Sequence, residues 1–323
     1  MKGEKAMNDS KGHLSWEKHR KGVYFALATA LISGFSIYIN KFAVMEMKDP
    51  FIFTTVKNLA VAALLFAFLI LPKALPQLRG LSGKQWLTLG VIGCVGGSIP
   101  FLLFFYGLSL GTAVGAAFIH KTLFIWVAIM AVFFLGERLG KFHIAALVTL
   151  VGGSILLLGW PQSWFTGGGE LMILIATILW AAEAIVAKRV MKQISSNVAV
   201  FGRMFFGAIV MLIYLASTGN LGVTAALSGQ QIGWIVLTSL FLFGYVSCYY
   251  AGLKHAPASI VASILVLGSV ITSLLYAILD AQRYSLEQIV GMLLIVAAVL
   301  GLWYIAPRVA LQKETLPAIP VEK

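Results

Sequence analysis

Five ionisable side chains, Lys57, His120, Lys121, Glu183 and Arg203, stand inside apolar stretches of about 20 residues, the length that crosses a bilayer. A charge at bilayer depth costs at least about 2.5–3.5 kcal/mol, so each needs an opposite charge, a wet cavity or a task. Glu183 and Arg203 lie ten residues either side of Gln193, in the turn between two apolar runs, so they reach the same depth and can meet. Two readings stand. In one they form a structural ion pair that locks the hairpin, since removing either partner strands a buried charge. In the other Glu183 exchanges a proton or a substrate ammonium during a coupled cycle, with Arg203 setting its affinity. His120 and Lys121 follow Thr112 by eight and nine residues, about 12–14 Å into a core about 30 Å thick. They point about 100° apart, so both border a cavity only if it is wide. His120 reads either as a packing residue or as a ligand for a solute. Lys121 is too deep to snorkel easily and is expected to face the cavity. Lys57 either reaches the outer loop holding Glu46 and Asp49 through its long stem or faces the cavity as well. The candidate substrate-binding residues are therefore Lys57, His120 and Lys121, with Glu183 and Arg203 as a coupling or structural ion pair.

The rest of the chain must be the scaffold that holds these groups. Of 323 residues 60% are apolar and 11% charged, against about 25% charged in soluble domains. No soluble fold covers itself with so few charges, and disorder fails on the same hydrophobicity. Cys94 and Cys248 lie inside apolar runs, which makes them packing residues and removes a disulfide framework or a metal site. Ten runs are long enough to span: 22–41, 51–71, 85–107, 112–135, 142–160, 169–187, 198–218, 232–253, 258–279 and 287–306. Lipid admits only helices or closed barrels, and these runs are too long for strands. The expected fold class is an all-α integral membrane protein of ten transmembrane helices. The net charge is +12, and with a cytoplasmic amino terminus eighteen of the 24 basic residues fall on the inner side and only Lys41, Lys48 and Arg283 on the outer. That bias places both tails, 1–21 and 307–323, in the cytoplasm and assigns the positive charge to topology and anionic lipid, with no nucleic-acid partner. The long mixed-charge tail ahead of the first span argues against a removable signal peptide. Trp86, Trp160, Trp164, Trp234 and Trp303 fall near span ends as interfacial anchors.

Residues 22–160 and 169–306 form an internal repeat. Gly22 overlies Gly169 and Lys41 overlies Lys188 at an offset of 147; Gly107, Leu108, Ala113, Arg138 and Val151 overlie Gly252, Leu253, Ala258, Arg283 and Val296 at 145. Each half has five spans, an odd number, so the two enter the membrane upside down to one another, the pattern that places a binding site at the midplane between halves. In the first half Phe134-Leu135-Gly136-Glu137-Arg138-Leu139 closes the fourth span and Gly152-Gly153 lies in the fifth. With Tyr106-Gly107-Leu108 and its counterpart Ala251-Gly252-Leu253-Lys254-His255-Ala256-Pro257-Ala258, the chain resembles the EamA domain of the drug/metabolite transporter superfamily over about residues 22–306. The second copy departs from the motif, reading Leu279-Asp280-Ala281-Gln282-Arg283. The resemblance implies an inner-membrane carrier with helices 1–4 and 6–9 around a central cavity and helices 5 and 10 peripheral. It implies no particular solute. The third span carries Gly90, Gly93, Gly96, Gly97 and Pro100, which serve either close packing or a bend that gates access.

The reading is a secondary active transporter of the cell inner membrane, an exporter working by alternating access on a small organic solute that is anionic or zwitterionic, coupled to protons. The solute's charge follows from the buried groups, three lysine or arginine cations against one acid. No Walker-type phosphate loop is present, so ATP is not the energy source in this chain. No cofactor, metal or catalytic residue is expected; the other partners are membrane lipid and a second copy in a homodimer. The alternative is an integral membrane enzyme or flippase acting on a lipid-linked group, which would need paired carboxylates or metal ligands at one membrane face.

Overall fold

The computed structural model describes residues 2–159 and 168–314, and among these it is helical with no strand. Ten helices are long and apolar enough to span: α1 (His19–Met47), α2 (Pro50–Pro72), α3 (Gly83–Leu110), α4 (Gly115–Leu135), α5 (Lys141–Leu158), α6 (Gly168–Val190), α7 (Ser196–Ser217), α8 (Gly229–His255), α9 (Ala258–Leu279) and α10 (Leu286–Tyr304). The main departure from expectation is α1, which belongs to a single helix running from Lys2 to Met47. Trp160 and Trp164 lie outside the described residues.

Side chains at the helix starts explain why the spans begin where they do. Ser82 with Gln85 and Ser228 with Gln231 form capping boxes on α3 and α8; each pairs two orphan N–H groups reciprocally. Asp49 accepts from the amides of Phe51 and Ile52 at 2.7 and 3.1 Å, with Pro50 at the first helical position of α2. The ends of α4 and α9 show the repeat at atomic detail. Gly136 (φ 65°) turns the chain out of α4 and the Glu137 amide returns to the Ala131 carbonyl at 3.1 Å; Ala281 (φ 52°) does the same for α9, with Gln282 on Tyr276 at 3.1 Å. All three pairs, 136/281, 137/282 and 131/276, are repeat mates at an offset of 145.

Close backbone approach holds the bundle together, as small residues do where lipid gives no hydrophobic gain. The peripheral helices α5 and α10 cross at Gly153 and Gly291, where a Cβ would meet the facing carbonyl at 2.9 and 2.7 Å. Their repeat mates, Ala298 and Ala146, are small and buried too. A Cβ on Gly22 would lie 2.6 Å from Ala256, fixing α1 against the end of α8. On α3, Gly93 sits against Phe206 and Gly97 against Gly207 of α7, with no room for a methyl group, while Gly90 has nothing within 4 Å. The third span also bends: it is two helices, Gly83–Gly97 and Ile99–Leu110, broken at Ser98. Packing and bend therefore coexist in α3. The helices α4 and α9 are broken as well, at Thr122 and at Leu265-Val266.

Candidate functional site: a charged cavity between the halves

A cavity of about 230 Å³ lies between the halves and is lined by α1–α4 and α6–α8. One side is polar: Ser33, Ser36 and Asn40 of α1 with Thr54, Lys57 and Asn58 of α2. Facing it are aromatic groups, Phe101, His120 and Trp180, which meet edge to face at 5.1 Å (Phe101 to Trp180) and 5.0 Å (His120 to Trp180). Toward the end of the bundle that carries both terminal segments, the lining ends in Glu183, Arg203, Tyr245 and Tyr249. The helix α9, which the family resemblance placed around the cavity, contributes no lining residue. It packs behind α1, where a Cβ on Gly34 would meet Ile271 at 2.5 Å and Thr272 donates to the Gly34 carbonyl at 3.0 Å.

Glu183 and Arg203 meet, with Nε 3.8 Å from Oε1, and both are at least nine-tenths buried. Each is seven residues from the same end of its helix, about 10 Å in. The Tyr250 hydroxyl donates to Oε1 of Glu183. Arg203 Nη2 donates to the Gly96 carbonyl at 2.9 Å, and the Trp180 indole donates to the same oxygen at 3.1 Å. Gly96 lies between the ion pair: a Cβ there would be 2.3 Å from Glu183 Cγ and 3.1 Å from Arg203 Nε. Asn58 Nδ2 donates to the next carbonyl, Gly97, at 3.0 Å. Four helices, α3, α6, α7 and α8, are thus joined through one acid and one guanidinium.

Lys57 has a different setting. Its Nζ stands 4.4 Å from the centroid of the Phe53 ring, and among the described residues it makes no ion pair. The outer acids are engaged elsewhere: Asp49 caps α2, and Glu46 accepts from Gln230 at 3.3 Å. Lys57 therefore lines the cavity instead of reaching that loop. His120 lines the cavity and Lys121 does not, because the turn of about 100° between neighbours carries it off the face that His120 presents to Trp180. His120 Nδ1 is buried with no hydrogen-bond partner. Asn58, Trp180, Tyr245, Tyr249 and Tyr250 were not singled out from the sequence. Trp180 precedes Glu183 by three residues and Tyr249 follows Tyr245 by four, so helical spacing around a buried acid was the available signal.

The bundle is closed at the end where the terminal segments lie. Glu137, 8% exposed, accepts from the Ala258 amide at 2.6 Å and from the Ser259 amide and hydroxyl at 3.2 and 2.6 Å. It thereby caps the first turn of α9, whose own N-cap, Pro257, has no capping side chain. Lys188 donates to the Leu253 carbonyl at 2.6 Å and to that of Ala256, and Lys254 donates to the Ile194 carbonyl at 3.1 Å. The first half of α9 packs along the second half of α4, and the other halves of the same helices are not packed together in this way. At the opposite end Asp280 accepts from Tyr38 at 2.8 Å and pairs with Lys41 at 3.3 Å, both groups partly exposed.

The comparisons with known proteins agree with this architecture. A protein of Clostridium kluyveri described as an uncharacterized transporter is 21% identical over 290 residues, 86% of this chain and 91% of that protein. A Sinorhizobium protein described as an uncharacterized transporter in the cobO 3' region is 25% identical over 134 residues, 42% of this chain and 94% of its own length. One crystal structure of a protein superposes with a TM-score of 0.67 over 88% of this chain and 98% of the other at 16% identity, a likeness of fold alone. The model of the EamA-like transporter family matches twice, over residues 20–159 and 167–304, and the chain belongs to that family.

Proposed function

We propose that this chain is a secondary active carrier that moves a small anionic or zwitterionic organic solute out across the inner membrane by alternating access. The observation that carries the reading is the uneven pairing of charge around the cavity. Glu183 offsets Arg203, whereas Lys57 lines the cavity with a phenyl ring beside it and no acid. A cation–π contact leaves the charge in place. A carboxylate or phosphate on the solute would supply the missing partner where low dielectric makes the attraction strong. His120, with an unsatisfied nitrogen among the aromatic rings, is the second group offered to the solute. The units that move against each other are residues 22–160 and 169–306, with 1–21 and 307–323 as cytoplasmic tails and no catalytic residue in either. The basic residues that gather at the closed end favour the cytoplasmic side for it, and on that reading the cavity belongs to a conformation closed toward the cytoplasm. Exchange of an external proton for an internal solute at Glu183 makes export the direction that a proton gradient drives. Membrane lipid and a second copy of the chain complete the set of partners.

Efflux from proteoliposomes loaded with a mixture of acidic, zwitterionic and cationic metabolites, read by mass spectrometry, tests this reading. Lys57→Ala should cut efflux of the anionic species at least about tenfold, which is about 1.4 kcal/mol of recognition, and Lys57→Arg should retain most of it. Glu183→Gln should abolish efflux driven by a pH gradient while leaving solute exchange. Loss of folded protein in that variant, rescued by also neutralising Arg203, would make the pair structural. Selective efflux of cations, unaffected by Lys57→Ala, would overturn the proposal.

A further inference from the structure

In a continuous α-helix the carbonyl of residue 96 accepts from the N–H of residue 100. Residue 100 is proline and has no N–H to give. The carbonyl of Gly97 would receive Phe101, but the Phe101 amide donates to Ser98 at 2.9 Å, and that of Leu102 to the same oxygen at 3.1 Å. Ser98 turns its hydroxyl back to the Gly93 and Cys94 carbonyls, both at 3.2 Å. The break in α3 thus releases two backbone acceptors at mid-membrane depth, where no lipid group can satisfy them. Both are taken by cavity side chains from other helices: Gly96 by Trp180 of α6 and Arg203 of α7, Gly97 by Asn58 of α2. The absence of side chains at both positions is what lets these partners approach, since a Cβ on Gly97 would lie 2.5 Å from the Arg203 carbonyl. The repeat mate α8 is unbroken. Between its capping box and its Gly-Leu pair, 228 to 252, α8 holds one residue fewer than α3 does between 82 and 107, and the break at Ser98 lies within that longer stretch.

We propose that Pro100 is a positioning residue of this site: by withholding an N–H it leaves the Gly96 carbonyl to fix the Trp180 indole and the Arg203 guanidinium on the cavity wall. The carbonyl end of the half-helix also offsets the charge of Arg203, so that Arg203 keeps a partner when Glu183 takes a proton or turns to a solute. This last consequence rests on the transport reading above; the placement itself does not.

The test therefore begins without a solute. In the indole region of a ¹⁵N spectrum of the full chain in lipid nanodiscs, the eight tryptophans give eight signals, and Trp180→Phe identifies one of them. Pro100→Ala supplies the N–H in register with Gly96. The Trp180 signal should then move upfield, out of the hydrogen-bonded range. Incorporating lactic acid, the hydroxy analogue of alanine, at position 100 replaces that amide by an ester with neither ring nor N–H, and should return the signal to its place in the natural protein. An unmoved signal in Pro100→Ala, or an ester variant whose Trp180 signal stays displaced, would overturn the proposal. If Pro100→Ala does not fold, the ester variant decides alone. Loss of efflux activity in every preparation, with the indole signals behaving as stated, would refute the transport reading and leave Pro100 as a positioning residue.

Discussion

Removing the Glu137 carboxylate should loosen the closed end of the bundle. The group is almost fully buried and accepts three hydrogen bonds from the first turn of α9. Hydrogen bonds to a charged group contribute about 1.5–3 kcal/mol each, and loss of a helix N-cap costs about 0.5–2 kcal/mol. The three bonds share one carboxylate and do not add, so Glu137→Ala should cost about 2–4 kcal/mol, with Glu137→Gln losing roughly half of that because one acceptor remains. If the contact exists only in the conformation closed at this end, the same energy shifts the balance of conformations by roughly 30- to 700-fold. Two measurements check this. The melting temperature in detergent should fall for Glu137→Ala, and the fall should be smaller by roughly a third in a Ser259→Ala background, since that substitution removes one of the three donors and leaves both amides. In a chain lacking Cys94 and Cys248, the near-isosteric Ser263→Cys, fully buried on the packed half of α9, should be alkylated slowly, and Glu137→Ala should accelerate it. An unchanged melt together with unchanged alkylation would refute the reasoning, as would equal falls in both Ser259 backgrounds.

Gly96→Ala should separate Glu183 from Arg203, because its methyl group would lie 2.3 Å from Glu183 Cγ; a loss of about 1–3 kcal/mol by overpacking should appear as a lower melting temperature, whereas Gly90→Ala on the same helix, with open space around it, should melt no lower than the natural protein. Ala281→Gly should raise stability by about 0.5–1 kcal/mol, since a left-handed φ of 52° strains alanine by about 1–2 kcal/mol and the glycine chain gives part of that back on unfolding; a lower melting temperature would contradict this. In intact cells, Ser10→Cys and Thr315→Cys should be shielded from an impermeant thiol reagent and Ser163→Cys should be labelled. Ser163 and Thr315 lie outside the described residues, so this experiment tests the charge bias alone, and labelling of either terminus would reverse the orientation.

The spans and the inverted repeat were legible because both are one-dimensional. Twenty apolar residues force a helix in lipid whatever their order, and an offset such as Gly107 to Gly252 is visible without knowing what the residues touch. Depth was legible for the same reason: a count along each helix put Glu183 and Arg203 level, and they meet. Azimuth was not. A helix that is apolar on every side carries little amphipathic signal to say which face meets the cavity, and so nothing in the sequence separated His120, which lines it, from Lys121, which does not. The motif Leu135-Gly136-Glu137 was visible at its place, but its work is tertiary: the glycine turns the chain, and the acid then caps a helix that begins 121 residues later. From the sequence, Pro100 and the glycines of α3 stand equally for close packing or for a bend. What Pro100 does to the site follows from an absent N–H, and the beneficiaries of that absence lie on α6 and α7.

The halves share a fold but not a chemistry, and under the alternating access proposed above the difference bears on which conformation is preferred. The same turn ends α4 and α9, with the Glu137 and Gln282 amides each 3.1 Å from a carbonyl of the last helical turn. Beyond that turn the two diverge. The first turn of α9 follows Pro257, which offers no capping side chain, and takes its cap from Glu137 of the other half. The first turn of α4 follows Thr112, whose hydroxyl already accepts from Gly115 at 3.1 Å. Under the repeat symmetry, the conformation open at the other end would bring Gln282, a neutral amide, to a helix start that has its own cap. A charged acceptor on an otherwise uncapped helix is worth more than a neutral one on a capped helix. On the proposed alternating-access cycle, the balance without solute leans toward the conformation closed where Glu137 sits, and a solute that drives that cycle must bind the other conformation tightly enough to offset the lean.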